Sequence, residues 1–563
     1  MEESIIQLRL GDWLYNAGIV GLVNILEHAR DDSVKYAGRE VSFDISELEN
    51  FEEKFFKYFI DTYEQTLAWK KVISYKSQIE VFEREEFHSF NEKSLEGFNK
   101  YIENLKRYLK SNSHVAAYEL IEEKYPVLER EKELKKIQLK KKEKIQDKIP
   151  EIKSEISKIK EIIKFYEKPQ AKKYIAGKNV IYNVIRNGWN GVSILNPQTK
   201  EKNMYKDYKE YFPQDTRNYI KSDKSRFKYN CFNCQTPIEN FNIEMGFLNA
   251  SGFDTSRKPS HVWNYNNDIA ICPICKLVYS CVPAGFTYVY DKGIFVNDNN
   301  SADSIVRISQ KIREQILKDE SFNPNTTYKS LIVAIQEKIN DSFQYELSDI
   351  QVIRYEKEAY RFNILSRQCV KVVRGSKKEL DRIIKSSYKE GEEYIRLYEE
   401  VVKKLFNNEN QFLLIHKLLV YKLSKQTNEI FYNVGNILDV IRINFNYLKG
   451  VNCMRDKEKD ELKTYSRAGY NLREDYKNKH SENKLKGIAY RLLNSLKTNN
   501  QEMFMDTVLN CYLYTKKQVP YFFTDCLKEK ELFKMIGYSF VSGLIDGEDL
   551  PKKEKPEKNG GEY

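Results

Sequence analysis

A predominantly helical α+β fold is what this sequence predicts, and three patterns predict it. Apolar residues recur at helical spacing through the N-terminal and C-terminal thirds. The middle is cut by Gly, Asn and Pro into short apolar pieces. Two stretches, Gln351 to Tyr355 and Arg361 to Ser366, alternate as strands do and suit a hairpin. The 563 residues are 41% hydrophobic and 13% aromatic, which supplies ample core and excludes a globally disordered chain.

In the N-terminal region, residues 1–130, the series Leu8, Leu10, Trp13, Leu14, Ala17, Ile19, Val20 and Leu22 is punctuated by Gly11, Gly18 and Gly21. It reads as a buried, glycine-broken helical segment. Phe51, Phe55, Phe56, Tyr58 and Phe59 then repeat at helical spacing. Residues 131–173 are lysine-rich and read as coiled-coil-like helices, because Ile145, Ile149, Ile152, Ile156, Ile159 and Ile163 form a heptad seam. Pro150 interrupts that seam, and proline costs about 3 kcal/mol in a helix interior, so a kink or a new helix is expected there. The basic face could touch nucleic acid, but charge runs usually face water, which favours a solvated helix packing its isoleucines inward.

Residues 174–300 read as a loop-rich, zinc-ribbon-like region for reasons given below, and 301–405 as a mixed α+β segment containing the hairpin. The helical period returns beyond Ser376, making 406–550 a C-terminal helical bundle with a charged break near Asp456 to Asn483. The tail, 551–563, is Lys, Glu, Pro and Gly with nothing apolar to dock before its last residue, and is expected to be disordered. No apolar run approaches the roughly 18 residues a membrane span needs, and Glu2, Glu3, Arg9 and Asp12 break the pattern of a secretory leader. The expectation is a cytoplasmic protein with no membrane partner. Its nine cysteines are then reduced, so that paired spacings point to metal rather than disulfide.

Such a spacing occurs. Cys231-Phe-Asn-Cys234 and Cys272-Pro-Ile-Cys275 are two CxxC knuckles of the kind that aim four thiolates at one tetrahedral zinc. Four thiolates fill the shell, so the predicted Zn2+ is structural rather than catalytic. Cys281 and His261 lie close by in sequence, but a buried thiol and an ordinary loop histidine are the simpler readings. Candidate nucleic-acid contacts fall in two loops: Asn187, Trp189 and Asn190 in one, and Asn249, Arg257, Lys258 and Asn264 between the knuckles. Amide and cationic side chains on a rigid loop can read base edges or grip phosphates, and tryptophan can stack. Turn-forming asparagines and a core tryptophan are the competing reading. Between Lys200 and Tyr229, cations alternate with rings, a mixture that suits single-strand binding or a surface snorkelling over a core. No phosphate loop, GxSxG elbow or HExxH motif occurs, and the six histidines are scattered, so no catalytic residue is assigned and the chain reads as non-enzymatic.

Three stretches together resemble the CRISPR-associated Cst-type large subunit of the type I-B Cascade interference complex. They are Leu10 to Leu22, the double knuckle followed by Pro283-Ala284-Gly285-Phe286, and Gly487 to Phe504 with Ile536 to Leu544. The resemblance implies an antiviral, RNA-guided surveillance role. Such a subunit holds the guide RNA handle, recognises the protospacer-adjacent motif in target DNA and helps recruit the helicase-nuclease effector. Its partners would be the backbone, handle-binding and small subunits. It also implies a C-terminal bundle able to follow the displaced strand. There Ile488, Leu492 and Leu496 make an apolar face and leave Lys484, Lys486, Arg491 and Lys497 toward the polar side, where they could track phosphates. Met454 is a candidate internal start for a separate helical fragment. The competing readings are a metal-dependent nuclease with an unrecognised site and a zinc-stabilised scaffold that binds only protein.

Overall fold

The computed structural model describes residues 5–30, 32–139, 143–251, 270–289, 292–317, 350–356, 358–365, 367–424, 427–451 and 458–546. Met454 and the tail from Pro551 lie outside the described residues, as does the loop that carries Arg257, Lys258, His261, Trp263 and Asn264. The fold is predominantly helical with small sheets, as the sequence predicts. The chain divides into two compact units, one spanning Met1–Phe322 with Val352–Phe362, the other Asn323–Gln351 with Asn363–Tyr563.

In the first unit, β1 (Ile5–Arg9) pairs antiparallel with β3 (Glu40–Asp44), which also pairs with β2 (Lys35–Ala37). The opening residues therefore do not continue the first helix, as their apolar content suggests. Ile6 and Leu8 alternate inward along a strand, and helix α1 (Trp13–Ala29) starts only after Asp12, whose carboxylate caps it by accepting from the amides of Leu14 and Tyr15. Every residue of α1 from Leu14 to Leu26 is buried. Helix α2 (Phe51–Tyr63) turns Phe51, Phe55, Phe56 and Phe59 into the same core.

Helix α3 (Ile145–Tyr166) runs unbroken through Pro150, so no second helix begins there. Pro150 lies in the second turn, and its missing amide forfeits one bond, to the carbonyl of Gln146 near the helix start. Ile152, Ile156, Ile159 and Ile163 of the seam are buried in the unit's core, while Lys148, Lys158 and Lys160 pair with Glu151, Glu155 and Glu83. The seam is thus an internal packing face, and these three lysines are laced to nearby carboxylates.

The four-stranded sheet, in order β6 (Thr287–Val289), β7 (Lys292–Asn297), β8 (Ile350–Glu356), β9 (Ala359–Leu365), includes the hairpin the alternation predicts. In the second unit, helices α6 (Val434–Gly450), α7 (Glu461–Asn478), α8 (Leu485–Thr498), α9 (Gln501–Thr515) and α10 (Lys530–Asp546) form the bundle. Helix α7 falls inside the stretch read as a charged break. Its buried face is Leu462, Tyr465, Ser466, Gly469, Leu472 and Tyr476, in which two small residues replace the bulky ones a hydrophobic pattern looks for. Gly469 and Gly543 let α7 and α10 touch backbone to backbone: a Cβ on Gly543 would lie 1.9 Å from the Ser466 carbonyl oxygen. No helix among the described residues is long and apolar enough to cross a membrane.

Candidate metal centre

The first knuckle sits between two short antiparallel strands, β4 (Tyr229–Asn230) and β5 (Pro237–Ile238), paired Tyr229 with Ile238 and Asn230 with Pro237. The turn closes through Cys231 N to Thr236 O (2.8 Å) and Gln235 N to Cys231 O (3.0 Å), with Gln235 in the left-handed region at φ 62°. The second knuckle is the start of a helix, α4 (Pro273–Ser280). Cys272 is its N-cap and accepts from the Cys275 amide at 3.4 Å, and Pro273 takes the first helical position, where no amide is needed. Phe232 N donates to Ala270 O at 2.8 Å and ties the two knuckles together.

The Sγ atoms of Cys231, Cys234, Cys272 and Cys275 all lie within 4.8 Å of one another, with Cys231 to Cys275 at 3.8 Å and Cys234 to Cys272 at 3.5 Å. Zinc–sulfur bonds of about 2.3 Å put tetrahedral sulfurs about 3.8 Å apart, whereas a disulfide needs about 2.05 Å. All four cysteines are free, so the donor set and its spacing fit a four-coordinate thiolate metal such as zinc. Cys281 is buried outside the cluster.

The surroundings are arranged for negatively charged sulfur. Cys275 Sγ donates to the Tyr15 hydroxyl at 3.6 Å, a bond whose direction reverses once that sulfur is a metal-bound thiolate; Asn233 Nδ2 donates to the same sulfur at 3.5 Å, and Thr236 Oγ1 lies 3.0 Å from Cys234 Sγ. Among themselves the thiols cannot all ionise. Hydrogen bonds from Cys234, Cys272 and Cys275 hold Cys231 far below the ordinary thiol range. Cys272 and Cys275 are pushed up, first by Cys231 and then by Cys234. Cys234 comes down to about 7: Cys231 pushes it up, but Cys272 and Cys275 together outweigh that. A divalent cation at the centre removes the conflict by letting all four sulfurs be thiolates.

Tyr15 brings helix α1 into the site. Burial, then the neighbouring Cys275, raises its hydroxyl well above the usual range, so it keeps its proton and can donate to a thiolate. The approach of α1 depends on glycine. A Cβ on Gly18 would lie 2.5 Å from the Val278 carbonyl oxygen, one on Gly21 1.9 Å from that of Cys281, and one on Gly285 2.0 Å from that of Ala17. The stretches Leu10 to Leu22 and Pro283 to Phe286, far apart in sequence, are one contact in space.

Residues 224–287, which hold both knuckles, match the family model described as CRISPR-associated protein (Cas_CXXC_CXXC). The match supports a CRISPR-associated protein. No curated protein matches the chain, and no solved structure does.

The two candidate nucleic-acid loops are brought together where they are described. Asn190 N donates to Phe247 O and Asn249 N to Gly188 O, both at 3.0 Å, and Trp189 bridges Leu248. Asn190 is exposed; Asn187 and Asn249 are half-buried, and their side-chain amides donate to the carbonyls of Asn183 and Arg186. Trp189 is a correction. It is fully buried, its indole N–H donates to Ser280 O at 2.9 Å, and its ring packs by Phe212, so it anchors the loop to α4 and cannot stack on a base. Lys484, just before α8, and Lys486, Arg491 and Lys497 on it are all exposed, opposite the buried Leu492 and Leu496. Tyr15 is the site residue the sequence reading missed. Its only signal is its place in the glycine-punctuated helix.

Proposed function

We propose that this chain is a non-catalytic large subunit of a type I-B CRISPR Cascade, of the Cst type. In this reading it binds the guide RNA handle, recognises the adjacent motif in target DNA and helps recruit the helicase-nuclease. The observation that carries the reading is the CRISPR-associated match centred on a closed four-cysteine cluster. A closed thiolate shell has no open position for a metal-bound water, so the cluster's work is to hold loops. The loops it holds carry Asn187, Asn190 and Asn249, and the reading extends to Arg257, Lys258 and Asn264 between the knuckles. Lys484, Lys486, Arg491 and Lys497 are the proposed phosphate contacts of the C-terminal bundle.

The test is assembly of the chain with guide RNA and the other subunits, followed by binding to duplex targets with and without the adjacent motif. Alanine at Arg257 and Lys258, or at Asn190 and Asn249, is expected to erase the preference for the motif while zinc content and assembly persist. Alanine at the four C-terminal cations should weaken binding to all targets alike and flatten its salt dependence. Degradation of DNA by the isolated chain with Mg2+ or Mn2+ would favour the nuclease reading instead. Failure to enter a guide-RNA complex would sink the subunit assignment.

A further inference from the structure

The cation-and-ring stretch from Lys200 to Tyr229 is sorted sharply by the fold. Tyr205, Tyr208, Phe212 and Tyr219 are buried, and Tyr211 lies under the Lys276 ammonium, 3.9 Å from its ring centroid. Lys202, Lys206, Lys209 and Arg217 are paired with Glu119, Glu201, Glu52 and Glu49. Most of the stretch is therefore core and surface ion pairs. Its last part is different. Arg226 and Lys228 are exposed on the approach to the first knuckle, with no carboxylate partner among the described residues. Tyr229 is 41% exposed and Phe232, at the tip of the knuckle, 50%.

We infer that this knuckle hairpin is a binding surface for single-stranded nucleic acid, with Phe232 and Tyr229 stacking on bases and Arg226 and Lys228 holding phosphates. The Tyr229 ring is held ready, leaning on Phe241 with centroids 4.2 Å apart, and the backbone that carries Phe232 is fixed by its amide's bond to Ala270 O within the Cys231–Cys234 knuckle. A ring fixed in advance loses little conformational freedom when a base covers it. The charge layout also selects the occupant. Four thiolates around a divalent cation leave net negative charge at the knuckle, which disfavours a phosphate there but not the face of a base. Phosphates are drawn instead to the cations that precede it. An unstacked strand offers both groups, whereas a duplex hides its base faces.

This rests on the nucleic-acid-binding part of the preceding reading, and the experiment separates the two. The purified full chain is titrated with labelled oligothymidylate and oligouridylate and with a duplex, following anisotropy over a salt series. Phe232→Ala and Tyr229→Ala should each weaken single-strand binding roughly tenfold, the range of one base–ring stack. Arg226→Ala with Lys228→Ala should lower the salt slope by about 1.4, two single-strand phosphate contacts. Phe232→Trp should restore binding and Phe232→Leu should not. Zinc content and melting temperature confirm that each variant is folded. Wild-type binding that all the hairpin variants retain overturns the inference and leaves the subunit reading standing. Full binding by Phe232→Leu likewise overturns it and points to a protein-docking surface. A wild-type chain that binds no strand overturns it together with the nucleic-acid part of that reading. Equal loss on both oligonucleotides supports stacking that ignores base and sugar identity, and unequal loss supports stacking in which the ribose hydroxyl or the thymine methyl is also read.

Discussion

Helix α1 of the first unit and helix α7 of the second are packed by the same device and supported by different ones. Gly21 sets α1 against the Cys281 carbonyl, and Gly469 and Gly543 set α7 against α10 at the same 1.9 Å from a would-be Cβ. Around α7 most of the remaining support is apolar: Phe504, Phe523, Phe533 and Phe540 fill the bundle with ring contacts, two of them edge-on. Around α1 the support includes the four-cysteine cluster, whose spacing fits a metal; the hairpin from Tyr229 to Ile238 has two-residue strands and little else to hold its shape. The difference shows where a metal would matter most: a bundle of long helices has enough face to bury, and a loop region does not.

The strongest way to break that comparison is to remove the metal. Structural zinc in small domains contributes on the order of 10 kcal/mol to folding at neutral pH. Chelation, or Cys272→Ser, is expected to abolish zinc content and deprotect the amides of the knuckle hairpin and the start of α4 in hydrogen exchange. Helices α7 and α10 should keep theirs. Uniform loss of protection in both units would show that the metal does not act locally.

Gly21→Ala and Gly543→Ala come next. Each places a methyl where a backbone carbonyl already sits, so the helices must separate, at about 3 kcal/mol. Denaturant midpoints measure the loss, and zinc affinity separates the two: Gly21→Ala should weaken it by moving Tyr15, while Gly543→Ala should leave it alone. Gly487→Ala is the control, since no atom lies within 4 Å of its would-be Cβ. It should be neutral or stabilise by up to about 1 kcal/mol through helix propensity.

The sequence announces some of these features and hides others for definite reasons. The four cysteines are legible because two CxxC pairs in one chain have the spacing of a four-thiolate metal site. The isoleucine seam of α3 is legible as a helix face, but nothing in its period distinguishes an internal neighbour from a separate coil, and Pro150 looks more disruptive in sequence than in the second turn of a real helix. Helix α7 is hidden because Ser466 and Gly469 build its face by being small, which a count of apolar residues scores as polar. Trp189 is hidden by its setting, since a tryptophan among Asn and Gly looks like a loop-tip ring until Ser280 and Phe212 close over it.

The first unit also contains a wholly buried titratable group. His114 is wholly buried, with Nδ1 3.1 Å from the Tyr166 hydroxyl and Nε2 3.4 Å from Asn179 Oδ1. Burial pushes its pKa down to about 4 from an ordinary 6.5. The folded state therefore holds the neutral ring where the unfolded chain would take up a proton. Stability is full above about pH 6.5 and falls as the pH drops toward 4, by about 3 kcal/mol in all. Denaturant unfolding at stepped pH should show this fall. His114→Phe should remove that slope while lowering stability at neutral pH, because the Tyr166 hydroxyl loses a partner.

The smallest expected effect tests the point at which α1 meets the metal. Tyr15→Phe keeps the ring, its packing against Tyr279 at 5.4 Å between centroids and all of the helix contacts, and deletes only the hydroxyl that lies 3.6 Å from Cys275 Sγ and would donate to it as a thiolate. A buried thiolate that loses one donor becomes less stable, and loss of such a supporting bond typically weakens metal affinity about tenfold or more. Competition with a chromophoric chelator reads that directly, and the stability change at saturating zinc should stay near 1 kcal/mol. An affinity unchanged by Tyr15→Phe but lowered by Gly21→Ala would mean that α1 supports the centre by shape alone. A loss in both would mean that the helix contributes a hydrogen bond as well, and that the burial of Tyr15 serves the metal as much as the core.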